Sequence, residues 1–409
     1  MSLVTKPLVL NETFAEKMDR QNALLGALVR DRVVQDVMSW DAIRAIVMSG
    51  SAPDVFRTGD QITTQWTDES GKVWDAPLDV VHFGNVELPS GDIVPGMYLQ
   101  WHYTTPYGIP FNMTNAIYYA AEGLEPGTYH VTAANGWGNN IVSGESYSFT
   151  LASPVPAGGQ IVFSTGTVDN TTDRWRVSTY AGPKEASPIE SNLPVTVGVH
   201  GVYLGSWSSS TAPDNDPAVS AVCHMHRSNY GYNRWSTSAM RQWLNSSGDK
   251  GSWWEPQTKF DRTFTEATSK RGFLAGFTED FLSVLRPVKV VTATNTVEKL
   301  TSDRDVTYDT FFLPSLEQEY IAPQIAGVEG EFWEYWKKAK GLDKPQAWHL
   351  TIVKECIRYG IDNKAAQNCR LRSAYRGSAY NTFYVGTAGN VSTNYACSAN
   401  RCAPACVIC

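Results

Sequence analysis

Charge is scarce in this chain. Only 18% of its 409 residues are charged, where about a quarter is usual, and no block of lysine or arginine occurs. With a formal net charge of −7, that excludes an electrostatic footprint for nucleic acid. No apolar run approaches the length of a membrane span, so membrane insertion is not expected. The opening MSLVTKPLVLNETF lacks the basic segment and long apolar run of a signal peptide. The chain is therefore expected to be made and folded in a cytoplasm. None of the seven cysteines precedes Cys223. An odd count without an export signal does not read as a disulfide framework. The motifs G-x-S-x-G, P-loop and H-E-x-x-H are all missing, so no enzyme activity and no cofactor are expected.

Aromatics, by contrast, are plentiful at 12%, with 14 Trp and 19 Tyr. Apolar periodicity and turn residues divide the chain into three parts and predict a multidomain, mainly β protein with an α+β C-terminal part. Residues 1–58 read as a helical attachment or oligomerisation segment. Phe14, Met18, Asn22, Leu25, Val29 and Val33 recur at three- and four-residue spacings. Met18, Asn22, Leu25 and Val29 fit a short heptad seam with Asn22 as its polar residue; a simple amphipathic helix fits equally. A second helix is predicted after Ser39, with Trp40, Ile43, Ile46 and Val47 on one side and Gly50 as the stop. From Gly59 the period becomes two. Short strands closed by Gly, Pro, Asn or Asp follow one another to residue 195, which predicts an antiparallel β-sandwich over 59–195.

Residues 196–409 form the mixed part. STSAMRQWLNS predicts a helix with Met240, Trp243 and Leu244 on one face, and RGFLAGFTEDFLSVL a second one. YDTFFLPSLEQEY reads as a strand breaking at Pro314 into a helix, with Ser315 and Gln318 as a capping box. EGEFWEYWKKA predicts a helix burying Phe332, Trp333 and Trp336. Near the end, AYNTFYVG and VSTNYACS flank the turn GTAGN as a hairpin. Alternation places Phe383, Val385 and Val391 toward a core and Tyr380, Thr382 and Tyr384 outward. The stretch from Arg376 to Arg401 carries no charge between those two arginines. Its Tyr, Asn, Ser, Thr and Gly are the mixture that antibody loops use for adaptable recognition. A harmless polar hairpin is the plain alternative.

The segments YNRWSTSAMRQWLNS, RGFLAGFTEDFLSVL, DVTYDTFFLPSLEQEY, NCRLRSAYRGSAYN and GNVSTNYACSANRCAPACVI resemble an uncharacterised domain family common in phages of gut bacteria. The chain is also similar to the C-type-lectin-fold variable proteins of diversity-generating retroelements, the family of the major tropism determinant. The resemblance spans roughly residues 215–409. It implies a C-type-lectin-like domain over 196–409 whose C-terminal codons are rewritten at adenines, Asn codons being the richest targets. The variable, ligand-binding positions it implies are Tyr375, Arg376, Ser378, Tyr380, Asn381, Thr382, Tyr384, Thr387, Asn390, Ser392, Thr393, Asn394, Tyr395, Ser398 and Asn400. It further implies a phage virion or tail-associated protein that meets other virion proteins and binds a bacterial surface protein or glycan; the Met18, Asn22, Leu25 and Val29 seam predicts self-association as a homotrimer. The apolar ending CAPACVIC would then be the core strand beneath the display surface, with Val407 and Ile408 buried.

Other constellations weigh less. Cys397, Cys402, Cys406 and Cys409 are spaced too tightly for a zinc ribbon; buried thiols in a terminal strand is the preferred reading. His224 and His226 share a strand side but lack a third ligand, so no metal is expected. The C-type lectin fold also houses formylglycine-generating oxidases, for which Cys397 and Cys402 are a conceivable pair. Cys397 falls inside the variable stretch, which argues against it. Trp74, Trp101, Tyr103, Tyr107, Tyr118, Tyr119 and Trp137 could stack sugars or simply fill a core. A glycan-active or oxidase-type enzyme, and a virion decoration protein without ligand, are the alternatives to a binding protein.

Overall fold

The computed structural model describes residues 38–113 and 231–409, with breaks at 258–260, 262, 297–301, 351 and 379. Between 114 and 230 it describes 117–120, 125–132, 146–151, 154, 160–164, 176–180, 195–197 and 223–227. The seam Met18, Asn22, Leu25 and Val29 lies outside the described residues. The helix predicted after Ser39 is α1 (Trp40–Met48). Ser39 caps it by accepting from the Ala42 N–H, and Ile43 and Val47 are its buried residues. Gly50, at φ 78°, ends the turn in the left-handed region that side chains disfavour.

After the short helix α2 (Ala52–Val55) come β1 (Gln61–Thr67), β2 (Val73–Glu87) and β3 (Ile93–Trp101). They pair antiparallel in a meander. The next neighbour of β3 comes from the other end of the chain. It is the last strand, Ala405–Ile408, whose residues pair Ala405 with Gln100 through Ile408 with Met97. Phe311 and Phe312 pair on its far side and complete a five-stranded sheet. The closing strand is therefore central. Val407 and Ile408 are fully buried, as expected, and so is Cys406; each such aliphatic contributes about 1.5–3 kcal/mol by leaving water.

This sheet changes the domain boundaries. Residues 61–101 belong with the C-terminal strand, not with a sandwich running to 195. The remaining strands of the middle region are β4 (Ile117–Ala120), β5 (Gly127–Thr132), β6 (Ser146–Leu151), β7 (Gln160–Ser164), β8 (Arg176–Tyr180), β9 (Val195–Val197) and β10 (Cys223–Arg227). They form two antiparallel sheets of their own, ordered β10-β4-β7-β8 and β5-β6-β9. Thus β10, expected in the third part, pairs with β4 instead. Asn112 and Gly231 lie side by side, for a Cβ at Gly231 would lie 2.5 Å from the Asn112 carbonyl oxygen. The described strands between them pair only with one another, while 61–113 and 231–409 contribute strands to one sheet. Local strand signals were visible in sequence, but pairing across some 300 residues is not a local property.

In the second half, α3 (Ala239–Leu244) buries Met240, Trp243 and Leu244 completely, with Ser238 as its N-cap. After α4 (Thr265–Ser269), the run RGFLAGFTEDFLSVL is not one helix. It is a 3-10 turn, Phe273–Gly276, followed by α5 (Glu279–Ser283). The break fits the packing: Trp66 donates its indole N–H to the Phe273 carbonyl at 2.9 Å, and a Cβ at Gly276 would meet that indole at 2.2 Å. The strands β11 (Val288–Ala293) and β12 (Arg304–Asp309) form a hairpin, and β13 (Phe311–Phe312) enters the main sheet. The predicted capping box is made: the Gln318 N–H donates to Ser315 Oγ and the Ser315 N–H to Gln318 Oε1, both at 3.1 Å. No helix follows it, because Tyr320 takes φ 55° and closes the turn. Helix α6 (Glu334–Lys340) begins after Trp333, so Trp333 and Trp336 are buried while Phe332 is left 37% exposed. The remaining strands are β14 (Arg358–Tyr359), β15 (Ala366–Gln367), β16 (Cys369–Ala374), β17 (Asn381–Val385), β18 (Val391–Tyr395) and β19 (Ala405–Ile408). All described sheets are antiparallel, and the protein is mainly β.

Candidate ligand-binding face

The hairpin predicted at the end of the chain is β17 and β18, in register from Asn381 opposite Tyr395 to Val385 opposite Val391. Its turn runs through Gly386 to Asn390. Gly389 sits at φ 83° with its Cα against the Lys354 backbone, where a Cβ would come within 3.1 Å; its carbonyl accepts from the Val353 N–H at 2.8 Å. No other residue fills that position without strain. Strand β16 pairs along the other edge of β17. Phe383, Val385 and Val391 are buried as the alternation requires.

The opposite face is where the expectation needs correcting. Tyr380, Thr382 and Tyr384 were to face outward, but Thr382 is 0% exposed and Tyr380 is 8% exposed. Both sides of β17 are covered because Arg370 of β16 lies fully buried across it. Its guanidinium donates to Thr382 Oγ1 and to the carbonyls of Asn394 at 3.2 Å, Tyr395 at 3.0 Å and Ser398 at 2.9 Å. No carboxylate pairs with it among the described residues. Burial pulls its pKa down to about 10, so it stays charged at neutral pH, held by carbonyl dipoles.

A second fixed side chain holds the loop before the hairpin. Asn233 is fully buried, and its amide N–H₂ donates to the carbonyls of Ser378 at 2.7 Å, Asn381 at 2.8 Å and Tyr375 at 3.3 Å. Asn295 orients it by donating to its Oδ1 at 3.1 Å. Its neighbours are tied to β12. Arg234 forms a two-pronged pair with Asp305, and the Trp235 indole N–H donates to Asp309. Thus Arg370 and Asn233 grip 375–398 almost wholly by main-chain carbonyls.

The side chains of this segment sort accordingly. Thr387, Asn390 and Tyr395 are exposed, and Tyr395 at 42% is the largest. Tyr375, Arg376, Asn381, Tyr384, Ser392, Thr393, Asn394, Ser398 and Asn400 are half-buried, while Ser378, Tyr380 and Thr382 are buried. The Tyr380 and Tyr395 rings lie 5.9 Å apart, so the buried ring backs the exposed one. Tyr375 packs with Phe383 and Trp348. Beside the turn, Leu350 and Ile352 are 76% and 65% exposed, and Ile352 bridges to Asn390. The resulting surface offers amides, hydroxyls, the exposed Tyr395 ring with half-buried Tyr384, and two aliphatic side chains, with Arg376 as the one charge of 375–400.

The other candidates fare differently. Cys402 is buried, its Sγ 4.0 Å from Met240 Sδ and 3.9 Å from Thr105 Oγ1. Burial pushes its thiol up to about 12, so it is not a thiolate at neutral pH. Cys406 and Cys409 are likewise buried, as free thiols, and Cys397 is half-buried. Trp101 is core at 1% exposure. Lysine ammonium groups lie over the rings of Trp74, Tyr103 and Tyr107, from Lys72, Lys364 and Lys270, so none of the three is an open stacking platform. The side chains of Tyr118, Tyr119, His224 and His226, and the whole of Trp137, lie outside the described ones.

Sequence reasoning did not single out Arg370 or Asn233. Both stand inside quoted segments, NCRLRSAY and YNRWSTSAM, but a charged or amide residue there reads as solvent-facing. The one signal was parity: Arg370 and Arg372 flank Leu371 in a strand. Residues 218–409 match the family described as a domain of unknown function, DUF6273. The matched segment contains the hairpin, Arg370 and Asn233, but not β1, β2 or β3. No curated protein and no solved structure matches the chain.

Proposed function

We propose that this protein is a ligand-binding protein that presents the β17–β18 hairpin and its flanking loops as a face of changeable side chains. The observation that carries the reading is the main-chain grip of Arg370 and Asn233 on 375–398. A surface held through carbonyls tolerates exchange of its own side chains, because the bonds that shape it do not depend on them. That is the property a retroelement-diversified segment requires, and the sequence resemblance to C-type-lectin-like variable proteins supplies the class. In this reading the body carries a C-type-lectin-like fold. The protein belongs to a phage virion or tail, trimerises through its N-terminal segment beside other virion proteins, and binds a bacterial surface protein or glycan.

The face comprises Asn381, Tyr384, Thr387, Asn390, Ser392, Thr393 and Tyr395, while Ser378, Tyr380, Thr382 and Asn394 serve as its support. A library randomised at the first set should stay folded in most members, and one randomised at the support set should not. Proteolysis-coupled display measures both. Equal losses in the two libraries sink the reading. For binding, Tyr395→Ala with Tyr384→Ala should weaken attachment to host cells about 30-fold or more, the scale of one aromatic hot spot, at an unchanged melting temperature.

A further inference from the structure

A second concave site shares no residue with the hairpin face. It is a cleft of about 430 Å³ between the ends of β2 and β3, strand β11 and the loop 327–331. That is within the range of small-molecule sites. Val86, Val290 and Phe312 give it apolar walls, and the Tyr98 ring, packed on His82 and Trp333, gives it an aromatic one.

The charges that line it are already engaged. All five N–H groups of Arg372 point to protein acceptors: Thr292 Oγ1, Gln318 Oε1 and the carbonyls of Leu313, Val291 and Glu329. Lys289 pairs with Glu87 at 2.7 Å, and Glu87 also accepts from the Tyr308 hydroxyl. The Glu329 carboxylate accepts from the Ala293 N–H and the Ser373 hydroxyl. No cation of the lining is left for an anion, so a phosphate or nucleotide has nothing to grip.

The groups without protein partners are mostly neutral. Among the described residues, the Tyr98 hydroxyl and the Gln318 amide N–H₂ have none, and His82 Nδ1 is buried without one. Burial holds the Tyr98 phenol up at about 12, so it keeps its proton as a donor, and burial lowers His82, leaving a neutral imidazole. Asn85 stands at the rim, as does the carboxylate of Glu331, which is 85% exposed and lies 3.4 Å from His82 Nε2. Neutral donors and acceptors between apolar walls suit a molecule whose hydroxyls and C–H faces alternate.

We propose that this cleft binds a neutral, hydroxyl-rich small molecule of the saccharide class. Calorimetry and saturation-transfer NMR on the full chain would use glucose, galactose, N-acetylglucosamine, maltose and lactose, with glucose 6-phosphate as the charged comparison. At least one neutral sugar should bind, and Tyr98→Phe, which removes one hydroxyl and keeps the ring, should weaken it about threefold to tenfold. Glu331→Gln should weaken it too, and Tyr395→Ala should leave it unchanged, which separates this site from the hairpin face. Failure of every neutral sugar to bind overturns the proposal. So does binding that Tyr98→Phe and Glu331→Gln leave untouched, or tighter binding of the phosphorylated sugar.

Discussion

Two buried ionic residues show how differently a charge is kept inside this protein. Arg370 has only carbonyls and a hydroxyl as partners, drawn from β17, β18 and the loop after it. Lysine carries the same charge but cannot reach all of them with one ammonium. Arg370→Lys should cost about 3 kcal/mol or more, since two or more charge-assisted bonds are lost in a buried place. Faster hydrogen exchange of the amides of 394–398 would report the loosened loop, and unchanged protection there would mean that the hairpin holds itself. Asp79 is kept instead by ionic neighbours, with Arg358 Nη1 at 3.0 Å and His102 Nδ1 at 2.9 Å. Burial acts to raise its pKa, but the His102 hydrogen bond and the Arg358 charge outweigh it and the pKa is lowered. The folded value therefore lies below the unfolded one, ordinarily about 3.9. Its stabilisation is complete above that value and is lost as pH falls through the folded pKa. Asp79→Asn should be about 3–5 kcal/mol less stable than the parent at pH 7, as for a broken buried pair. The gap should close in melts run at progressively lower pH below the ordinary carboxyl range. A gap that persisted in strong acid would assign the loss to packing.

At the scale of elements, the terminal strand and the hairpin are neighbours in sequence with opposite duties. Every residue of β19 is buried, and the strand lies between β3 and β13. In β18 only Val391 is buried, while Ser392, Thr393 and Asn394 are half-buried. Ile408→Ala should therefore destabilise by about 2–5 kcal/mol, a large part of a domain's margin, whereas Ser392→Ala and Thr393→Ala should scarcely move the melting temperature. Calorimetric melts of the three variants decide it, and equal shifts would contradict the division into support and surface. Asn394 is left out of that comparison because its Oδ1 accepts from the Tyr395 N–H and the Ser398 hydroxyl.

For the whole molecule, the five-stranded sheet joins strands from before residue 114 to strands from after residue 230. Three of its strands, β1, β2 and β3, precede the segment 218–409, which alone would expose one edge of β19 and the apolar faces that β3 covers. Asn112 and Gly231, in contrast, are adjacent in space although residues 113–230 separate them in sequence. Replacing 114–230 by a short Gly/Ser linker should leave the body folded, with the Arg370 and Asn233 bonds intact, because closing a short loop costs little. Residues 218–409 expressed alone should be unfolded or aggregated. Circular dichroism and size-exclusion chromatography distinguish the states of the two shortened proteins, and a well-folded 218–409 fragment would refute the shared sheet.

Sequence alone determined what depends on near neighbours. The cap at Ser39, the buried face of Met240, Trp243 and Leu244, the hairpin with Phe383, Val385 and Val391 inward, and the burial of Val407 and Ile408 all follow from spacing and side-chain type. The reciprocal bonds of Ser315 and Gln318 were legible too, although the helix they announced stops at Tyr320. Tertiary structure decided which strands pair. The period-two pattern of 61–101 is the same whether the partner is the next strand or one some 300 residues away, because alternation records which face is buried and not by what. It also decided the burial of Thr382, Tyr380 and Arg370. A polar residue can leave water only where its bonds are met, and the carbonyls that meet those of Arg370 converge on it only when three segments are folded together.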